Sequence, residues 1–227
     1  MPTFLRRLDG VLTILVVLAM FVAIHGAFLG APKESAMGNV QRLFYFHVPF
    51  AIGCFLGFFV VLIGSVGYLI RRGRSWDLVA ESAAEIGVLY CTIVLVTGPI
   101  WARPIWGTWW TWEVRLTLTL LLWLIYVAYL LLRMFVDEPD QRARFSAVLG
   151  ILGFLLVPFV YFSVYLWKGL HPSGVLKKGN LDPAMRQVFL FNLWTILLLF
   201  FVLLGLRMQL GMAREELDQV RELERDR

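Results

Sequence analysis

Hydrophobic residues occur in six long runs, and each run is separated from the next by a shorter segment that contains charged residues. A helix needs about 20 mostly apolar residues to cross the hydrocarbon core of a bilayer, and every run reaches roughly that length. The pattern therefore predicts six transmembrane helices. The predicted spans are residues 9–29, 44–70, 82–101, 116–135, 146–167 and 187–208.

Three of these spans have irregular features. Glu81 and Glu85 lie at the start of the third span and weaken its apolar pattern. Pro158, in the stretch FLLVPFV, is a candidate for a kink in the fifth span, because proline removes a backbone donor from the helix. The first span follows Arg6 and Arg7 and resembles a signal sequence. Its apolar run is longer than that of a usual signal, and it shows no convincing cleavage site, so we expect it to be retained.

The composition agrees with a membrane protein. Of the 227 residues, 59% are hydrophobic and 16% are charged, whereas about 25% of the residues in a soluble domain are charged. The sequence therefore predicts an all-α integral membrane protein. The net charge of +5 does not indicate nucleic-acid binding, because the basic residues lie between the apolar runs, where they interact with the lipid bilayer.

The distribution of lysine and arginine predicts the orientation. With the N-terminus inside, 13 of the 21 cationic residues fall in the inner segments, and such residues favour the cytoplasmic side. We therefore expect both termini to be cytoplasmic, with residues 1–208 forming the membrane domain and residues 209–227 a charged, helical tail. The outer segment between the fifth and sixth spans departs from the rule, and its cations are candidates to serve a ligand. They are Lys168, Lys177, Lys178 and Arg186.

Tryptophan is concentrated between the third and fourth spans. Five of the nine tryptophans lie within twelve residues, inside a tryptophan segment that we define as residues 101–117. An interfacial aromatic belt explains one or two tryptophans at a helix end but not five, so a belt and a flat ligand-binding platform remain alternatives. If residues 106–115 are helical, Trp106, Trp109, Trp110 and Glu113 share one face, with Trp112 turned aside. The platform would then be edged by Glu113, Arg103 and Arg115, which suits a large, flat, charged ligand, so Glu113 is also a candidate ligand-binding residue. The predicted orientation places this segment at the outer membrane interface.

The three histidines favour the platform. His47, in FYFHVPF, and His171, in WKGLHPSG, both fall on the predicted outer side, as does the tryptophan segment. Two such histidines beside an aromatic platform indicate a bis-imidazole axial pair for haem iron. His25, near the end of the first span, is interpreted as structural. The candidates to neutralise the two haem propionates are Arg103, Arg115, Lys168, Lys177 and Lys178.

Other kinds of site find little support in the sequence. Cys54 and Cys91 each lie inside an apolar run, and the chain has no CxxC or CxxCH motif. This excludes a thioredoxin-like redox pair and covalent attachment of c-type haem, and it indicates that both thiols are buried packing residues. Because we find no nucleophile–base arrangement and no glycine-rich phosphate loop, we do not expect an enzyme with turnover.

The stretch GPIWARPIWGTWWTWEVRLT, with FYFHVP before it and LHPSG after it, resembles the haem-handling membrane proteins that carry a tryptophan-rich WWD motif. The chain is most similar to the haem exporter protein C family of bacterial cytochrome c maturation, system I. The resemblance covers nearly the whole chain, and these three sequence stretches occur in the same order. One departure is that the family commonly has Asp after the last tryptophan of the motif, where this chain has Glu113.

The resemblance implies that the protein binds haem b at the periplasmic face of the bacterial inner membrane and presents it to a periplasmic haem chaperone. It also implies partners: the subunits of an ATP-binding-cassette transporter and a small membrane subunit. By matching position, His47 and His171 are the axial ligands of the iron. Trp106, Trp109, Trp110 and Trp112 contact the haem. The alternatives are a subunit that transports haem across the membrane, a b-type cytochrome that takes electrons from quinol, and a purely structural subunit.

Overall fold

The computed structural model describes residues 3–167, 169–171 and 181–225. In these residues the regular structure is helical, apart from one isolated β-bridge between Glu34 and Gly38. The helices are α1 (Thr3–His25), α2 (Phe44–Arg71), α3 (Arg74–Trp106), α4 (Val114–Phe135), α5 (Pro139–Phe154), α6 (Leu156–Leu166) and α7 (Pro183–Arg225). A π-helical turn, Gly26–Gly30, extends α1, and a 3₁₀ turn, Asn39–Leu43, precedes α2.

Six helical segments are long and apolar enough to cross a membrane, which confirms the predicted number of spans. They are Gly10–Gly30, Asn39–Arg71, Arg74–Trp106, Val114–Phe135, Pro139–Leu166 and Pro183–Arg221.

The fifth span consists of two helices, α5 and α6, which meet at Leu155. Pro158 has no amide hydrogen, so it cannot donate the usual helical hydrogen bond to the carbonyl of Phe154, four residues earlier. The helix is interrupted next to this unpaired position, where the sequence predicted a kink.

The third span is longer than predicted, because its first turns are stabilised by ion pairs. Arg133 of α4 donates from Nη1 to Asp77 Oδ1 at 2.6 Å and from Nη2 to Glu81 Oε2 at 2.8 Å. Arg207 of α7 donates from Nη2 to Glu85 Oε1 at 2.5 Å. The two half-buried acids that weaken the apolar pattern are therefore paired with cations from neighbouring helices, as charges within a membrane span require.

Glycine allows α2 and α3 to pack closely at the centre of the bundle. A Cβ atom at Gly57 would lie 3.1 Å from the Cα of Gly87, so the two backbones meet here without intervening side chains. Next to this contact the rings of Phe58 and Tyr126 are stacked, with their centroids 3.7 Å apart. Cys54 and Cys91 are buried and free, which confirms their prediction as packing residues.

The outer surface of the bundle is largely apolar. Phe21 and Leu29 at the first span and Phe135 at the end of α4 are 67%, 73% and 79% exposed. A monomer in water rarely presents such large contiguous apolar faces, but a bilayer solvates them. The exposed side chains therefore face lipid, in agreement with an integral membrane protein.

Candidate functional site

Four elements meet at one end of the bundle. His47 lies in the first turns of α2, and Trp106 is the last residue of α3. Glu113 immediately precedes α4, and His171 follows α6. Because successive spans cross in opposite directions, the start of α2, the end of α3, the start of α4 and the end of α6 come together. The structure thus brings both histidines and the tryptophan segment to the same end.

His47 is held against α3. Its Nδ1 lies 2.9 Å from Oγ1 of Thr97, and the Trp101 ring contacts it edge-on, with the ring centroids 5.7 Å apart. Gly98 leaves room for the imidazole, since a Cβ there would lie 3.3 Å from His47 Cε1. The contact with Thr97 was not predicted from the sequence. The only sequence signal was a threonine inside the otherwise apolar stretch VTGPIW.

His171 is held by the acid of the tryptophan segment. Its Nδ1 donates a hydrogen bond to Oε1 of Glu113, and Oε2 of the same carboxylate accepts from the backbone N–H of Leu170 at 2.9 Å. Gly169 is required for this approach, because a Cβ there would lie 2.6 Å from Glu113 Oε2. Trp106 contacts the His171 ring edge-on at a centroid distance of 5.1 Å.

The surroundings of His171 favour a neutral imidazole. Burial lowers the pKa of His171 below its usual value, and the nearby charge of Arg115 acts in the same direction. The hydrogen bond and charge of Glu113 oppose the shift but do not reverse it. The neutral ring is the form that can donate a lone pair to a metal.

Residues 107–113 of the tryptophan segment are not helical, so the conditional prediction of a continuous helix over residues 106–115 is wrong. Gly107 ends α3 in the left-handed conformation, with φ of 75°, and its N–H donates to the carbonyl of Arg103 at 3.0 Å. Trp112 also has positive φ, at 55°. Trp106 and Trp110 are half-buried, whereas Trp109 and Trp112 are 58% and 71% exposed. The four tryptophans therefore do not form one helical face.

The candidate cations have different positions. Arg115, in the first turn of α4, is half-buried and lies close enough to both imidazoles for its charge to act on them. Arg103 instead donates from Nη1 to the carbonyl of Gly107 and so stabilises the end of α3. Lys168, Lys177 and Lys178 lie outside the described residues. His25 ends α1 and is exposed.

A cavity of about 210 Å³ opens beside His171. Glu113, Arg115, Ser163 and Trp167 contribute to its lining. It is smaller than the roughly 300–1,000 Å³ of a pocket that encloses a ligand, so a group as large as haem would remain partly exposed.

The donor set fits haem. Nδ1 of each imidazole is engaged by an oxygen, so Nε2 is the nitrogen that could bind a metal. An indole ring contacts each histidine, Trp101 for His47 and Trp106 for His171, and Arg115 lines the cavity beside His171. In addition, the buried indole N–H groups of Trp101 and Trp110 have no hydrogen-bond partner among the described residues.

Comparison with known proteins gives the family. Residues 2–224 match the family described as Heme exporter protein C. The chain is similar to Heme exporter protein C of Bradyrhizobium diazoefficiens, with 35% identity over 188 residues that cover 82% of this chain and 70% of the relative. The corresponding protein of Escherichia coli K12 is 32% identical over 179 residues, covering 79% and 73% of the two chains. That of Paracoccus denitrificans is 32% identical over 221 residues, covering 94% and 91%. With this match over nearly its whole length, and with six helices long and apolar enough to cross a membrane, the chain belongs to the heme exporter protein C family.

Proposed function

We propose that the protein binds haem at the periplasmic face of the bacterial inner membrane and presents it to a periplasmic haem chaperone during maturation of c-type cytochromes. The observation that carries this proposal is the position of His47 and His171 at the same end of the bundle, each with Nδ1 hydrogen-bonded to an oxygen. The printed name of the relatives, Heme exporter protein C, supports the choice of haem as cargo.

In this proposal His47 and His171 would hold the iron through their Nε2 atoms. Each ring is fixed by a partner outside the coordination sphere, Thr97 for His47 and Glu113 for His171. Such partners set the tautomer and raise the basicity of the ligand. Glu113 therefore acts as a positioning residue for His171 rather than as a contact to the haem.

The tryptophans supply apolar surface for the macrocycle. Trp106 lies directly against His171, and Trp109, Trp110 and Trp112 follow it in the connection to α4. Burial of apolar surface contributes about 25 cal/mol per Å², so the exposed rings of Trp109 and Trp112 gain the most from covering a porphyrin.

The propionates require positive charge. Arg115 is the best-placed cation of the described residues, because it is partly removed from water and lies near both histidines. Arg103 is a weaker candidate, since its guanidinium already binds the Gly107 carbonyl. Lys168, Lys177 and Lys178 stay candidates from the sequence alone.

An incompletely enclosed site suits presentation. The small cavity beside His171 cannot cover a whole porphyrin, and two tryptophan side chains remain largely exposed. One edge of the haem is then accessible to a chaperone. The chain has no CxxCH motif for covalent attachment, so the haem is bound non-covalently, as haem b. We further propose that the protein works with the subunits of an ATP-binding-cassette transporter and a small membrane subunit.

Transport of haem across the bilayer by this chain is a second candidate, because the relatives carry the word exporter in their names. Transport would need a polar route through the spans. In the described residues the buried charges of α3 and α4, Asp77 and Arg133, are instead paired with each other. Uptake of haem into sealed vesicles that contain only this protein would favour transport over presentation.

The haem content of purified variants tests the proposal. We expect His47→Ala and His171→Ala each to lose most of the haem that copurifies with the wild-type protein, because each removes an axial ligand. His25→Ala is the matched control: the residue is an exposed histidine at the end of α1, and its replacement should leave the haem content unchanged. Full retention of haem with an unchanged absorption spectrum in both His47→Ala and His171→Ala would refute the proposal.

A further inference from the structure

Thr97 is the hydrogen-bonding partner of His47, and the direction of that hydrogen bond follows from the positions of its neighbours. Oγ1 of Thr97 lies 2.7 Å from the carbonyl oxygen of Ile93, one turn earlier on α3, and 2.9 Å from Nδ1 of His47. A hydroxyl has a single proton. Since the carbonyl can only accept, that proton goes to Ile93, and the Thr97 oxygen accepts from the imidazole.

This arrangement determines the tautomer of His47. Nδ1 must carry the proton that is donated to Thr97. In a neutral imidazole the other nitrogen, Nε2, then holds the free lone pair. The ring therefore presents Nε2 as its only metal-binding atom.

The backbone of α3 fixes the orientation of the same ring. A Cβ at Gly98 would lie 3.3 Å from Cε1 of His47, so the ring edge rests against the helix at this position. Trp101, one turn after Thr97, contacts the ring edge-on. One turn of α3 thus fixes the position of the His47 ring through contacts with Thr97, Gly98 and Trp101.

We propose that Thr97 is a positioning residue that holds His47 in the Nδ1–H tautomer and so directs Nε2 toward the haem iron. The part that concerns iron rests on the proposed function, whereas the tautomer is a property of the haem-free protein. Thr97 thereby has the same task for His47 that Glu113 has for His171, but it is a neutral acceptor in place of a carboxylate.

Nitrogen NMR of the full-length, haem-free protein labelled with ¹⁵N-histidine tests the tautomer directly. The chain has only three histidines, and the His47 signals are assigned by their loss in His47→Ala. We expect the wild type to show a protonated Nδ1 and an unprotonated Nε2 at His47. Thr97→Ser keeps the accepting oxygen and should give the same pattern. Thr97→Val keeps the shape but removes the oxygen, and it should give a mixture of tautomers.

Thr92→Val is the matched control. Thr92 lies on the same helix, donates to the Val88 carbonyl at 2.8 Å and accepts from Nε1 of Trp123 at 2.9 Å, but it does not contact His47. We expect its replacement to leave the His47 signals unchanged. In haem titrations, Thr97→Val should weaken binding about 10- to 100-fold, the usual effect of losing such a partner, while Thr97→Ser and Thr92→Val stay near wild type.

The outcomes separate the two proposals. A wild-type His47 protonated at Nε2, or a Thr97→Val variant with unchanged signals and haem affinity, overturns the role of Thr97. If the NMR pattern is as expected but the wild type binds no haem, the role of Thr97 in the tautomer stands and the proposed function fails.

Discussion

The two candidate ligands differ in the group that holds Nδ1. Glu113 presents a carboxylate to His171, whereas Thr97 presents a hydroxyl to His47. Hydrogen bonds to a charged acceptor are roughly twice as strong as neutral ones, so the carboxylate polarises its imidazole more. In the proposed site His171 is therefore the stronger electron donor, and His47 is the ligand that is easier to displace when haem leaves.

This difference predicts the effect of Glu113→Gln. The amide oxygen can still accept a hydrogen bond, but the negative charge is lost, so His171 becomes a poorer donor. We expect haem affinity to fall about 10- to 100-fold, measured by titration of haem into purified protein. Glu113→Asp is the matched comparison, because it keeps the charge and shortens the side chain by one methylene. It should bind more tightly than Glu113→Gln, and equal binding by the two variants would show that the charge has no role.

At the residue scale, rarity was the most useful sequence signal. His47 and His171 could be selected because the chain has only three histidines and two fall beside the tryptophan segment. Thr97 could not be selected, because its role depends on the packing of α2 against α3, and many threonines in membrane helices bond only to their own backbone. The sequence also could not show that Arg103 caps α3, since a cation near a helix end looks the same whether it binds a carbonyl or a ligand.

At the element scale, long apolar runs predicted the spans well, but their ends and the connections less well. The start of α3 lies eight residues before the predicted residue 82, at Arg74, because cations from α4 and α7 pair with its acids. Those partners are distant in sequence. In the tryptophan segment the helical period was misleading, because a single left-handed glycine, Gly107, ends the helix.

The left-handed turn predicts the effect of Gly107→Ala. No atom lies within 4 Å of a Cβ at this position, so the cost is backbone strain alone, about 1–2 kcal/mol for a residue with a side chain. We expect a lower melting temperature in detergent and reduced haem binding, because the tryptophans that follow shift. Gly107→Asn should be milder, since asparagine tolerates this conformation better.

Gly205→Ala provides the control for that change. Gly205 lies inside α7, and a Cβ there also meets nothing within 4 Å, but its backbone is helical. Alanine in a helix is favoured over glycine by roughly 0.5–1 kcal/mol, so the melting temperature should stay the same or rise. A loss of stability in Gly205→Ala as large as in Gly107→Ala would argue against backbone strain as the cause.

At the scale of the whole molecule, the buried ion pairs and the candidate site lie at opposite ends of the bundle. One end contains the ion pairs of Asp77 with Arg133 and Glu85 with Arg207, and the other contains both histidines and the tryptophan segment. Between them lies a mainly hydrophobic core, in which the backbones of α2 and α3 approach closely at Gly57 and Gly87. Six spans that alternate in direction are sufficient to predict that His47, His171 and the tryptophan segment lie at the same end. The cytoplasmic position of both termini, and the periplasmic position of the site, stay predictions from the charge distribution.

The central claim is that His47 and His171 bind one haem iron together. Electron paramagnetic resonance of the ferric, haem-loaded protein tests it most directly, because the signal reports the number and type of axial ligands. We predict the low-spin signal of a bis-imidazole haem in the wild type and in His25→Ala, and conversion of any haem that remains in His47→Ala and in His171→Ala to a high-spin signal. An unchanged low-spin signal in either single variant would contradict the account.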